Sequence, residues 1–230
     1  MSERIVTPAR RRGLADEVAD TVREAIFEGA YAPGAQLREV ELSHTLQVSR
    51  GPVREALLRL EREGLVRTAW HRGAFVVELS AADIAELDSL RGALEGLAVR
   101  LVSERADESG LAAIEAAADA MDHSADPYAM VRADIAFHDA VYAAAGHERL
   151  RGAWEAIRSQ VHLFLLTRVG VSDDLAHLPG EHRELAAALR AGDTDRASTL
   201  FADHRKYAFD LLTGGHTATS HPDPEFRESE

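Results

Sequence analysis

Four residues in the second half of the chain have the types and spacing that bind a metal ion. Asp134 and His138 lie four apart in "RADIAFHDAVYAAAG", one helical turn, so both side chains leave the same side of a helix. Val131, Ile135, Tyr142 and Ala145 mark that side as the buried one. Farther along, His182 shares a stripe with Leu185, Ala186 and Leu189, and His204 shares one with Ala197, Phe201, Ala208 and Leu211. One carboxylate and three imidazoles thus face a common interior, where each left unpaired costs on the order of several kcal/mol. A divalent ion unites them. One oxygen and three nitrogens suit zinc, nickel or manganese, with zinc the first choice. The plain alternative is four separately hydrogen-bonded core residues. Other histidines, among them His44, His71, His123, His147, His177, His216 and His221, show no such convergence, and His162 stays undecided.

What must position these groups is a run of helices. From about Ser80 to Leu212 nearly every segment has helical period. "SAADIAELDSLRGALEGLAVRLV" opens on a Ser cap and carries Ile84, Leu87, Leu94, Ala98 and Leu101 on one side. Further helices are expected over about 108–122, 127–145, 147–168, 180–191 and 194–213, with breaks at Asp126-Pro127, Gly146, Pro179-Gly180 and Gly192-Asp193. Strand signals are absent, so an all-α bundle of six or more helices is expected. Residues 214–230 are polar and expected to be a disordered tail.

The charge divides the chain in two. The whole carries a formal charge of -13, yet residues 1–78 hold 12 Arg against 12 Asp+Glu. The acidic excess lies entirely beyond residue 78, so a neutral head precedes an acidic body. Nucleic-acid binding stays open provided the head's arginines gather on one face. There is no cysteine, so any metal site uses nitrogen and oxygen. No apolar run approaches the roughly 20 residues that span a bilayer. "MSERIVTPARRRG" lacks a secretory apolar core, and a cytoplasmic location is the expectation.

The head has its own pattern. Leu14, Val18, Val22 and Ile26 repeat every four residues, a helix ending near Gly29. "YAPGAQL" reads as a loop. A short helix from Arg38 to Leu46 buries Leu42 and Leu46, and Ser49 is a suitable N-cap for the next helix. Pro52 falls in that helix's first turn, where backbone donors lack partners anyway. Gly64 closes it, and "LVRTA" and "AFVVE" follow as strands around "WHRG". Mainly helical, with three helices and a hairpin, this is the pattern of a winged helix-turn-helix over 14–78, after a flexible arm at 1–13. Ser49, Arg50, Gly51 and Arg54 then sit at the end of the second helix of the pair that enters a major groove. The competing reading pairs Arg50 or Arg54 with Glu55 or Glu41 on a solvated helix end.

"PGAQLREVELSHTLQVSRGPVREALLRLEREGLV...HRGAFV" resembles the DNA-binding domain of the GntR family of bacterial transcription regulators. The family pattern has Thr where Gly51 stands, so one phosphate contact is missing. The resemblance implies that Arg50 and Arg54 meet bases or phosphates, Ser49 a phosphate, and the Arg72–Gly73 wing tip a minor groove, with Arg38 a further phosphate candidate. "RADIAFHDAVYAAAG", "GEHRELAAALRAGD" and "RASTLFADHRKYAFDLL" resemble the FCD ligand-binding domain of the FadR subfamily, over about 82–213. In its metal-binding members an Asp and three His hold the ion, and Asp134, His138, His182 and His204 match them. An arginine on the first FCD helix meets the effector carboxylate, and Arg91 matches that position; its other reading is an i,i+4 bridge to Glu95.

Together these imply a homodimeric regulator, a repressor by the commoner family behaviour and not an enzyme. It binds a pseudo-palindromic double-stranded operator and answers to a small carboxylate at its metal. The alternatives are a metal-dependent hydrolase in the helical body, or a metal that is only structural. Against the hydrolase, no further carboxylate in a stripe is read as a general base.

Overall fold

The computed structural model describes residues 13–70, 72–124, 126–170 and 175–213. His71, the expected tail at 214–230, and all but the last residue of the expected arm lie outside them.

In the head, α1 (Leu14–Phe27) lies against α3 (Arg50–Arg62), with α2 (Glu39–Thr45) between them in sequence. Val18, Val22 and Ile26 are buried, together with Val53, Ala56, Leu57 and Leu60 of α3. Leu14, expected in the same stripe, is half exposed, since the first turn of α1 meets α3 through the Asp16–Arg59 ion pair. Leu46 is only half-buried, because α2 stops at Thr45 and leaves it in the turn. The expected loop before α2 contains a strand, β1 (Gln36–Leu37). It pairs antiparallel with β3 (Gly73–Val76), which pairs in turn with β2 (Val66–Ala69), in the order β1-β3-β2. Leu37 anchors β1 in the core. Two residues are too few to show the alternation that betrays a strand.

The body is helical throughout its described residues. Its helices are α4 (Ala81–Arg105), α5 (Glu108–Ala120), α6 (Pro127–Ala144), α7 (Glu148–Leu166), α8 (Leu178–Arg190) and α9 (Thr194–Thr213). Ser80 caps α4 by accepting from the Asp83 amide at 3.2 Å. The break expected at Pro179-Gly180 is not one: α8 starts at Leu178 and carries Pro179 in its first turn. Helix α4 packs on α6, α7, α8 and α9, while α5 covers α6 and α8. The core includes Trp154 stacked on Tyr142, ring centroids 4.6 Å apart.

Head and body are seated on one another by α6 and α7. Leu163 of α7 belongs to the head's apolar core, and His162 stacks on Phe27 of α1 with ring centroids 3.7 Å apart. Two glycines make the approach possible. Gly29 (φ 77°) ends α1 under the Tyr128 ring of α6, and Gly64 (φ 72°) ends α3 against Gln160 of α7. A Cβ at either would fall 2.5–2.6 Å from those side chains, so both backbone conformation and space require glycine.

His162, undecided from sequence, is a junction residue 3% exposed. Burial first, and then the positive charges of Arg158 and Arg132, push its pKa down to about 3. Below its unfolded pKa of about 6.5 the unfolded ring takes a proton that the folded ring refuses, so this residue makes stability fall with acid by up to about 1.4 kcal/mol per pH unit. Denaturant unfolding at pH 7 and pH 5 checks this. His162→Phe should lose less stability over that interval than wild type, by about 2 kcal/mol; equal losses would contradict the assignment.

Candidate metal centre and nucleic-acid interface

Asp134 and His138 from α6, His182 from α8 and His204 from α9 come together inside the body. One ligand atom from each lies within 4.8 Å of all the others. His138 and His182 are 0% exposed, Asp134 3% and His204 8%. The backs of two of the three imidazoles are anchored by hydrogen bonds. His182 Nδ1 donates to the Leu178 carbonyl at 2.8 Å, and His204 Nδ1 contacts Glu181 Oε2 at 3.1 Å. His138 Nδ1 lies 3.1 Å from Glu95 Oε1 in a bent contact. The Nε2 atoms therefore turn toward Asp134, at 4.0 Å for His138, 3.1 Å for His182 and 3.7 Å for His204.

This arrangement fits a divalent cation. His182 Nε2 and Asp134 Oδ2 are buried without hydrogen-bond partners. His182 turns its second nitrogen toward a carboxylate oxygen of Asp134, 3.1 Å away. Anchoring the His182 and His204 rings through their rear nitrogens selects the tautomer and orientation that ligation needs. His204 shows the same demand for positive charge. Burial disfavours its cation, but the contacts to Asp134 and Glu181 raise its pKa to about 9. Asp134 is held well below the usual carboxylate range; burial opposes this, and the His182 and His204 contacts outweigh it.

A fifth group at the cluster was not read from sequence as part of it. Glu95 is 1% exposed and meets Arg91 at 3.4 Å, Arg205 at 3.5 Å and His138. Burial pushes its pKa up, but Arg91 and then His138 bring it to about 2. Sequence reading named Glu95 only as a bridge for Arg91, not as a neighbour of the cluster. The signal was present: Leu87, Arg91, Glu95, Ala98 and Val102 follow one buried stripe of α4. A carboxyl so strongly ionised is nevertheless a poor general base near neutrality.

Of the two readings of Arg91, the bridge to Glu95 is the one observed. The side chain bridges to Glu95, and it is buried at the cluster, donating from Nη2 to His138 Nε2 at 2.7 Å. It does not face a ligand-sized cavity. The pocket it lines with Leu87 and Phe164 is about 10 Å³, room for one water at most. A larger cleft, about 350 Å³, reaches His204 between Glu181, Glu184, Asp203 and Tyr207. Burial pushes His138 down to about 4, with Arg91 adding to it, so its Nε2 stays an acceptor near neutrality.

At the other end of the molecule, Arg50, Gly51 and Arg54 lie exposed on the first turns of α3. Ser49 occupies the N-cap but makes no side-chain capping bond, so its hydroxyl faces outward unspent. Arg50 and Arg54 pair with neither Glu55 nor Glu41. Both reach Glu39 of α2, at 3.3 and 2.7 Å. Arg38 pairs with Glu41 at 2.9 Å, and exposed Arg72 and Gly73 (φ 89°) form the wing turn. Arg38, Arg50, Arg54 and Gly73 line one shallow cleft.

A three-helix head with a wing, joined to a helical body, is the architecture of bacterial winged helix-turn-helix transcription regulators. Residues 14–76 match "Bacterial regulatory proteins, gntR family", and residues 86–206 match the "FCD domain". The chain belongs to the GntR family of DNA-binding transcription regulators, in its FCD-containing branch. It is 31% identical to the Nta operon transcriptional regulator of Aminobacter aminovorans, over 79% of this chain and 86% of that one. It is 30% identical to the galactonate operon transcriptional repressor of Escherichia coli K12, over 79% and 89%. A solved structure from Rhodococcus sp. RHA1, assigned to GntR, superposes with a TM-score of 0.77 at 29% identity, covering 88% of this chain and 98% of that one. No helix among the described residues is long and apolar enough to cross a membrane.

Removing the Glu95 carboxylate leaves Arg91 buried and short of its counter-charge. Glu95→Ala is expected to destabilise the body by about 3–5 kcal/mol, read as a fall in the denaturant midpoint; a midpoint like wild type would show that the pairing is not structural.

Proposed function

We propose that this protein is a dimeric, metal-containing repressor of the FadR subfamily, released from DNA by a small carboxylate. Residues 14–78 read the operator and 82–213 hold metal and effector. The observation that carries the reading is the buried convergence of Asp134 with three imidazoles, two of them anchored through their rear nitrogens. Asp134, His138, His182 and His204 would hold the ion, zinc by preference over nickel or manganese. When bound, the ion supplies a Lewis-acidic charge with open positions for carboxylate oxygens. Glu95, the Leu178 carbonyl and Glu181 orient the rings. The acidic cleft at His204, with Glu181, Glu184 and Asp203, suits entry of a cation. Arg91, which donates to His138 at the cluster, is the partner for the effector's second oxygen. A named relative controls a galactonate operon, and galactonate is itself a hydroxycarboxylate.

On the head, Ser49, Arg50, Gly51 and Arg54 enter a major groove, Arg38 grips phosphate, and Arg72–Gly73 reach a minor groove. The ion pairs to Glu39 do not oppose this. They are exposed, and such pairs contribute about 1 kcal/mol or less, so a phosphate or guanine displaces Glu39 readily. At Gly51 a Cβ would meet nothing within 4 Å, so the helix end leaves room for a backbone approach. Two protomers related by a two-fold axis would place two such ends on a pseudo-palindrome.

The two halves separate by variant. Arg54→Ala should weaken operator binding about 5- to 150-fold, the equivalent of about 1–3 kcal/mol, while thermal shifts by hydroxycarboxylates persist. His182→Ala should abolish stoichiometric metal and those thermal shifts while operator binding survives. Fluorescence anisotropy and metal analysis read both. Wild-type behaviour of both variants in both assays overturns the site assignments.

A further inference from the structure

A second cleft, unrelated to the metal cluster, opens where head and body meet. It measures about 380 Å³ and is walled by Arg23 and Phe27 of α1, Glu63 at the end of α3, Arg132 of α6, and Ser159 and His162 of α7. Most of its charges are already matched. Arg23 makes a two-pronged contact with Glu63, at 2.8 and 2.7 Å, and also reaches Asp20. Arg158, also lining the cleft, is held the same way by Asp139. Glu24 lies on the exposed face of α1. Besides Glu24, two groups stay unspent. Arg132 has no ion pair or hydrogen bond among the described residues. His162, 3% exposed, has no partner at either ring nitrogen.

A histidine buried only to fill space ordinarily satisfies at least one nitrogen. Here the ring is clamped flat on Phe27, so both nitrogens lie at the edge of the stack. The field at that ring is positive. Arg158 and Arg132 both disfavour its protonation, and Asp134 and Asp139 only partly offset them. A neutral imidazole, the Ser159 hydroxyl and the Arg132 guanidinium can each donate into the cleft, and the guanidinium fork matches two oxygens of a carboxylate or phosphate.

We propose that this junction cleft is a second ligand site, taking a small oxyanion between Arg132, Ser159 and His162 and against Phe27 of the head. Occupancy ties α6 and α7 to α1 and so fixes the pose of the DNA-reading head, independently of whatever binds the metal. The shared chemistry is that of phosphate and carboxylate groups.

The test is isothermal titration of the full chain, at fixed ionic strength in a buffer free of oxyanions, with sodium phosphate and separately with sodium citrate. Saturable phosphate binding, or citrate binding that persists in His182→Ala, supports the site. Tighter phosphate marks a phosphorylated ligand, and tighter citrate a polycarboxylate. Arg132→Ala should weaken binding at least about tenfold, Arg132→Lys should recover most of it, and His182→Ala should leave it unchanged. Amide exchange should slow over residues 22–27 and 158–163 on saturation. The proposal is overturned by absence of saturable binding, by loss of binding in His182→Ala with retention in Arg132→Ala, or by binding that protects neither segment. Because His182→Ala is the variant that tests the metal reading, failure of either site is told apart from failure of the other.

Discussion

A carboxylate enclosed by protein among three imidazole rings is a demand for positive charge, and Asp134 makes that demand of the whole body. At low effective dielectric the demand is strong. Arg91 from α4 answers part of it, and protonation of His204 another part. The groups concerned come from α4, α6, α8 and α9, each brought in by apolar neighbours on its own stripe. The packing of the bundle and the electrostatics of its centre are therefore a single constraint. A shift of any helix by one residue would take its charged member out of the interior.

The head is built on the opposite principle. Its arginines are exposed, and two of them share one carboxylate, Glu39. Water screens such contacts, so they hold side chains loosely and keep them ready for a polyanion. The same charged residue types thus play two parts. Buried guanidinium fixes structure in the body, and solvated guanidinium stays available for recognition in the head.

Much of this was legible in the sequence because helical period is local. Asp134 and His138 announce themselves at four-residue spacing, and His182 and His204 by the stripes they interrupt. Glu95 was overlooked for an equally physical reason. An Arg–Glu pair at i,i+4 is the commonest surface motif on a helix, and only the Leu87–Ala98–Val102 stripe beneath it shows that this pair faces inward. Contacts distant in sequence leave no such mark. Glu39 lies 11 and 15 residues from the arginines it meets, and nothing near His162 says that Phe27 will cover it. The strand β1 escaped because its partner β3 lies nearly forty residues on.

Helix α6 presents Arg132 to the junction and Asp134 to the interior. Two residues along an α-helix amount to about 200° of rotation and 3 Å of rise, so these side chains leave nearly opposite faces of one stiff rod. One helix thus borders both the interior and the junction while holding the two sets of side chains on separate faces, so each can be occupied or altered without rearranging the other.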